Sequence, residues 1–317
     1  MSSLTRIDAA RWLQDHDNFL ILTHRRPDGD TLGSAAVLCR GLRQLGKTAH
    51  ILQNPEITEK YAPLHTGLTI SQTDPDHTVI CVDTASPGMV PDAFQALLPR
   101  IALRIDHHGT ATSFTPLELV DPDAAACGDI LYDVLLQMGA TLDKDMAEAL
   151  YTAVSTDTGC FRYANTNEHS YLVAAACAKA GGDLFQLNQT LFETNSLARL
   201  QLQGWLIDHA LFLHDGKAVI CALPLAQEKA MGLTEDDMEN ISGFPRSIAG
   251  VKLAATLRQE ESGRVKLSVR AGPGYDAAAI CAKFGGGGHK GAAGASMDMT
   301  MDAAVAAVKD VFTALAM

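Results

Sequence analysis

The chain has 317 residues, 47% of them hydrophobic and 20% charged, proportions that exclude a disordered or fibrous protein. At about 100 to 200 residues per domain the length predicts two domains. With 37 acidic against 25 basic residues the net charge is −12, which argues against a broad electropositive surface that tracks long duplex nucleic acid, so a nucleic-acid substrate would have to be short.

The first thirty residues are charged throughout and lack the apolar core of a signal peptide. No apolar run approaches the ~20 residues needed to cross a bilayer. A cytoplasmic protein without a membrane partner is therefore expected. The seven cysteines are odd in number, scattered and never spaced C-x-x-C, which predicts core thiols in a reducing compartment rather than disulfides or structural zinc.

In chain order, residues 18–23 form a short apolar run, and 31–45 an apolar-periodic helix stopped by Gly46. Further strands are predicted at 47–52, 78–83 and 101–106, with helical material at 91–98. Such alternation predicts an α/β fold, a mainly parallel, doubly wound sheet. The periodicity is then helical through 129–138, 144–154, 168–180, 183–192 and 197–213. Strands return at 218–223, 248–258 and 265–270, followed by a helix at 275–284, a glycine run and a last helix from Asp302. The expected organisation is a catalytic domain over 1–195, a helical linker over 196–216 and a second, smaller α/β domain over 217–317.

The chemistry begins where the strands end. In open parallel sheets ligands bind beyond the carboxyl ends of the strands. Here three predicted strands end in ligand-type residues: His24 with Asp28 and Asp30, then Asp83, then Asp106, His107 and His108. Gly29 lets the backbone aim both neighbouring carboxylates at one cavity. The segment from His24 to Asp30 also reads as a helix N-terminal loop with an Asp as cap, and Asp157 as a helix-end turn residue before Gly159. Oxygen ligands mixed with imidazole suit Mn, Mg or Fe better than a thiolate-loving metal.

These motifs resemble the DHH phosphoesterase superfamily, and within it the NrnA-type nanoRNases that are also pAp phosphatases. The resemblance rests on His24-Arg25-Arg26-Pro27-Asp28-Gly29-Asp30 with Gly33-Ser34, on Val82-Asp83, on Asp106-His107-His108 and on Thr156-Asp157-Thr158-Gly159. It extends to Ser268-Val269-Arg270 and to the run from Phe284 to Gly294, which resemble a DHH-associated domain. Ala125-Ala126-Cys127-Gly128 departs from the pattern, where Ser and Thr are expected.

The resemblance implies two divalent cations, Mn2+ with Mg2+ as the alternative. His24, Asp28 and Asp83 would hold one, and Asp30, Asp83, His107 and Asp157 the other, with Asp83 bridging. Water shared by the cations would be the nucleophile. Asp106 is assigned to orient a neighbouring imidazole, and His108 to contact the phosphoryl oxygen or protonate the leaving group.

The second domain is expected to grip substrate through Arg270, the backbone of Gly285, Gly286, Gly287 and Gly288, and His289. If it faces the metal centre across a cleft, the distance between them selects short substrates. The implied substrates are short RNA oligonucleotides, linear dinucleotides such as pApA or pGpG, and 3'-phosphoadenosine 5'-phosphate. A RecJ-like single-strand DNA exonuclease, a cyclic-dinucleotide phosphodiesterase and a non-enzymatic nucleotide sensor are the competing readings. The oligomeric state stays open, with a homodimer among the options.

Overall fold

The computed structural model describes residues 2–109 and 111–316. It divides into two compact units, one up to Thr194 and one from Asn195. Among the described residues the first unit holds seven strands: β1 (Ser2–Ser3), β2 (Phe19–Leu22), β3 (Ala49–Leu52), β4 (Thr69–Ile70), β5 (Thr78–Val82), β6 (Ile101–Asp106) and β7 (Leu117–Val120). They lie in the order β1-β7-β6-β5-β2-β3-β4, every pairing parallel.

Both faces of this sheet are apolar, as the unbroken hydrophobic runs require. Alternate residues of β2 serve the two sides. Phe19 and Ile21 enter the core beneath the helices, while Leu20 and Leu22 pack with Phe94 and Leu97 on the other face. The helices of this unit are α1 (Arg6–Asp15), α2 (Gly29–Gln44), α3 (Cys127–Gln137), α4 (Lys144–Asp157), α5 (Glu168–Lys179) and the short α6 (Leu184–Asn188). The helical material expected at 91–98 is a 3-10 segment, Asp92–Arg100, with Pro91 before it and Pro99 inside it. The segment expected as one helix over 183–192 is α6 followed by a π-helical turn, Gln189–Glu193.

Helix α2 starts at Gly29, two residues before the expected start, because the Asp28 side chain caps it by accepting from the N–H groups of Asp30 and Thr31. Its glycines let it lie directly on α4: a Cβ on Gly29 would stand 2.4 Å from Thr156 Oγ1, and one on Gly33 would stand 2.3 Å from the Ala149 carbonyl oxygen. The expected role of Gly29 as a hinge for the carboxylates is thus replaced by one of close approach. No other residue leaves room for α4 there.

The second unit is a mixed sheet of β8 (Leu211–Leu213), β9 (Ala218–Leu223), β10 (Leu253–Gln259), β11 (Val265–Ala271), β12 (Gly287–Gly288) and β13 (Ala292–Met297), in the order β12-β13-β11-β10-β9-β8. Helix α7 (Leu197–Asp208) covers one face together with α9 (Glu235–Met238) and a 3-10 turn, Ile241–Ser247, and the short α8 (Leu225–Ala230) follows β9. The helices α10 (Ala277–Ala282) and α11 (Met301–Thr313) pack on the other face, where Ala304, Val308 and Phe312 are fully buried. The stretch expected as a helical linker, 196–216, therefore contributes buried Leu202 and Leu206 to the core of the second unit, and its end is strand β8 rather than helix. Strand β10 begins five residues later than the expected 248, since the 3-10 turn precedes it. No helix among the described residues is long and apolar enough to cross a membrane.

Candidate metal centre

The carboxyl ends of β2, β5 and β6 converge, and the N-terminus of α2 and the C-terminus of α4 meet them there. Asp157 is the last residue of α4, so the helix presents both its carboxylate and the partial negative charge of its terminal carbonyls to the same point. His24, Asp30, Asp83 and Asp106 are buried, whereas Asp28 is exposed and His107, His108 and Asp157 are partly so.

The side-chain atoms fall into two sets. His24 Nε2 stands 3.5 Å from Asp28 Oδ1 and 3.4 Å from Asp83 Oδ2. His107 Nε2 stands 3.6 Å from Asp30 Oδ2, 3.5 Å from Asp83 Oδ1 and 3.6 Å from Asp157 Oδ2. These separations are longer than hydrogen bonds. They match the spacing of about 3.0 to 3.5 Å between atoms that each lie about 2.1 Å from one shared ion. Asp83 gives one oxygen to each set. Its Oδ1 is buried and has no hydrogen-bond partner, a costly arrangement for a carboxylate oxygen unless a cation meets it.

The imidazoles are turned for the same purpose. A carbonyl oxygen can only accept, so His24 Nδ1, 2.8 Å from the Arg25 oxygen, and His107 Nδ1, 3.3 Å from the Ala124 oxygen, each carry the proton. Both Nε2 atoms then offer a lone pair to the carboxylates' centre. His108 differs, because its Nδ1 donates to Asp106 Oδ1 at 2.7 Å. The same nitrogen stands 3.5 Å from Asp83 Oδ1.

Burial and mutual repulsion shift the carboxyls. Burial, then the neighbouring Asp30, pushes Asp83 well above the usual carboxylate range, and burial raises Asp30 against the pull of His107. Burial, Asp30 and Asp28 raise Asp157 likewise. Burial would lower His24, but Asp28 and Asp83 reverse this and raise it well above the ordinary imidazole value. Without counter-charge the cluster holds protons; divalent cations would replace them.

The backbone holds Asp30 in place. Its Oδ2 accepts from Cys127 N at 2.7 Å and its Oδ1 from Gly128 N at 3.1 Å and Ser34 Oγ at 2.9 Å. The N-cap of α3 is Ala126, which has no side chain to bond these N–H groups, so Asp30 caps α3 from another helix. The atypical Ala-Ala-Cys-Gly stretch thus acts through its backbone. Sequence reading missed Asn54, whose Nδ2 donates to the His24 carbonyl and Thr23 Oγ1 at 2.9 Å each, and Asn165, whose Nδ2 donates to the Asp157 carbonyl at 3.2 Å. Neither amide stands in a motif, and their roles follow from contacts between segments remote in the chain.

The expected grip residues lie in the second unit, apart from these motifs in sequence but grouped with each other. Arg270 on β11 pairs in register with Ala292, whose carbonyl accepts from His289 N. The glycine run has a packing reason at two positions: a Cβ on Gly286 would stand 2.1 Å from the Gly294 oxygen, and one on Gly288 would stand 2.7 Å from Ala293 Cα. Gly287 has open space.

The DHH family, N-terminal domain, matches residues 18–154, and the DHHA1 domain matches 217–314. A Thermus thermophilus protein named bifunctional oligoribonuclease and PAP phosphatase NrnA is 33% identical over 301 residues, covering 92% of this chain and 90% of that protein. The chain is an NrnA-type member of the DHH family. A Bacillus subtilis protein of the same name is 26% identical, covering 92% of this chain and 93% of its own length. The fold is shared with an exopolyphosphatase-related protein of Bacteroides fragilis, at a TM-score of 0.86 and 24% identity over 96% of this chain and 94% of that one. In this DHH-family chain the namesake motif is divided in its geometry: His108 Nδ1 bonds Asp106 at 2.7 Å and stands 3.5 Å from Asp83 Oδ1, while His107 turns Nε2 to Asp30, Asp83 and Asp157.

Proposed function

We propose that the chain is a phosphoesterase dependent on two divalent cations, with Mn2+ preferred. It hydrolyses very short oligoribonucleotides and linear dinucleotides to mononucleotides, and 3'-phosphoadenosine 5'-phosphate to AMP. The observation that carries the reading is the Asp83 carboxylate, with Oδ2 facing His24 and Oδ1 facing His107. The names of the Thermus and Bacillus relatives support the substrate class. His24, Asp28 and Asp83 would hold one ion, and Asp30, Asp83, His107 and Asp157 the other. When bound, such a pair lowers the pKa of water and stabilises charge on the attacking and leaving oxygens.

The protein's own contribution is orientation and proton transfer. Asp106 fixes the His108 ring through Nδ1–H. Burial would lower His108, but the hydrogen bond to Asp106 raises it, which favours the protonated ring that a general acid at the leaving oxygen needs. In the second unit Arg270 and His289 grip a terminal phosphate, a contact absent from the interior of a long strand.

The deciding experiment is a Mn2+-dependent hydrolysis panel of 3'-phosphoadenosine 5'-phosphate, di- to pentaribonucleotides, linear and cyclic dinucleotides, and longer RNA and DNA. Short linear substrates should be cut fastest; preference for long DNA would refute the substrate reading. In parallel, Arg270→Ala or His289→Ala should lower pApA hydrolysis while bound metal stays unchanged.

A further inference from the structure

Strand β6 carries a charge where its neighbours are apolar. Arg104 is 1% exposed, and a buried guanidinium is costly wherever its N–H groups are not met; its Nε has no hydrogen-bond partner, while both Nη groups face oxygens. Its Nη1 stands 3.3 Å from the Thr84 oxygen, 3.2 Å from the Ala85 oxygen, 3.3 Å from the Thr112 oxygen and 3.5 Å from Asp106 Oδ2. Its Nη2 faces Glu118 Oε1 at 3.2 Å, and the guanidinium carbon lies 5.0 Å from the Phe114 ring centroid.

These partners are not scattered. Thr84 and Ala85 follow Asp83, whose φ of +52° is left-handed and strained for a residue with a side chain. Such strain persists only where the surroundings over-determine it. The Asp83 N–H donates to the Ile105 oxygen at 2.9 Å and Thr112 N to the Ala85 oxygen at 2.9 Å, and Arg104 adds its grip on the two residues next in line. Asp106 in turn holds the His108 ring, and Thr112 belongs to the loop after it. One buried cation therefore joins the turn that carries Asp83, the carboxylate that orients His108 and the β6–β7 loop. An apolar side chain would fill a central strand equally well, so fold alone does not require a charge here.

We infer that Arg104 is a positioning residue, acting through the backbone after Asp83 and through Asp106 on His108. The inference rests on the phosphoesterase reading above. The full chain is compared with Arg104→Met and Arg104→Lys for thermal unfolding, for Mn2+ affinity by titration of free ion, and for kcat and KM on pApA. The Met variant should unfold cooperatively, bind Mn2+ about 10-fold or more weakly, and lose about 100-fold in kcat with little change in KM. The Lys variant should recover part of kcat, because a point charge restores the pairing with Asp106 but not the fork across both loops.

A folded Met variant with parental kcat and Mn2+ affinity overturns the inference. If the Met variant does not fold, the Lys variant decides: parental kcat and affinity there overturn it, and a loss in both supports it. A parent chain inactive on every short substrate would refute the functional reading, and the Mn2+ affinities of the variants would still judge Arg104.

Discussion

His107 Nε2 and Asp83 Oδ1 face each other at 3.5 Å, with the oxygen buried and without a hydrogen-bond partner. Two groups so placed attract a third body between them. At 100 times its dissociation constant, an ion that binds only the folded state adds about 2.7 kcal/mol. The first unit should therefore unfold about 5 to 10 °C higher with Mn2+ than with chelator. Asp83→Asn should abolish that rise and the hydrolytic activity together; calorimetry with and without chelator checks it. A chelator-insensitive melting temperature in the parent would refute the two-ion reading.

Asp106 occupies His108 Nδ1, and in the proposed mechanism Nε2 is the atom that serves the substrate. Replacing His108 with Gln should lower kcat by about 100- to 10,000-fold, while bound Mn2+ measured by atomic absorption stays at the parental level. Loss of one ion in the variant would instead make His108 a ligand.

The contact of α2 with α4 at Gly29 allows a sharper steric test. Gly29→Ala drives a Cβ to within 2.4 Å of Thr156 Oγ1, next to Asp157. It should cost about 1 to 3 kcal/mol of stability and lower activity by about 100-fold through displaced carboxylates. The control is Gly204→Ala in α7, where nothing lies within 4 Å; there the change should raise stability by up to about 0.8 kcal/mol and leave activity unchanged. Chemical denaturation and steady-state rates on both variants separate the outcomes.

Asp129 predicts a pH effect. It is fully buried in the first turn of α3, and burial, opposed by His169, pushes its carboxyl up to about 6. The folded state then binds this proton more tightly than the unfolded state does. Its contribution favours folding below the unfolded value near 3.8, and is lost as pH rises to about 6. Asp129→Asn should remove that fall, so the stability difference between variant and parent should grow in the variant's favour by about 1 to 3 kcal/mol from pH 4 to 7. Denaturant titrations across that range measure the difference, and a constant difference would rule the assignment out.

Much of the first unit was legible because its strands are short, continuous apolar runs that stop at polar residues. The strands ending near His24, Asp83 and Asp106 stand within a residue or two of their expected bounds, and ligand-type residues at strand ends point to the carboxyl edge of the sheet. Strand β7, between β1 and β6, escaped notice because Leu117–Val120 is only four residues long and follows Pro116. In the second unit β13 escaped for a different reason. Its residues, Ala292–Met297, are Ala, Gly, Ser and Met, which carry little intrinsic strand preference; the close approach of Gly286 and Gly288 selects small residues there instead.

The sequence by itself determined the chemistry available: which residues are imidazole or carboxylate, and that most of them close a strand or open a helix. Chain-local patterns carry that information, since period and punctuation are properties of neighbours. Only the tertiary structure decided how the groups divide. Asp157 reaches the cluster because glycines let α4 lie on α2, Asp30 is fixed by N–H groups of α3 about a hundred residues away, and Asp83 turns one oxygen to each imidazole. Those are distances between segments remote in the chain, set by packing, and no local pattern encodes them.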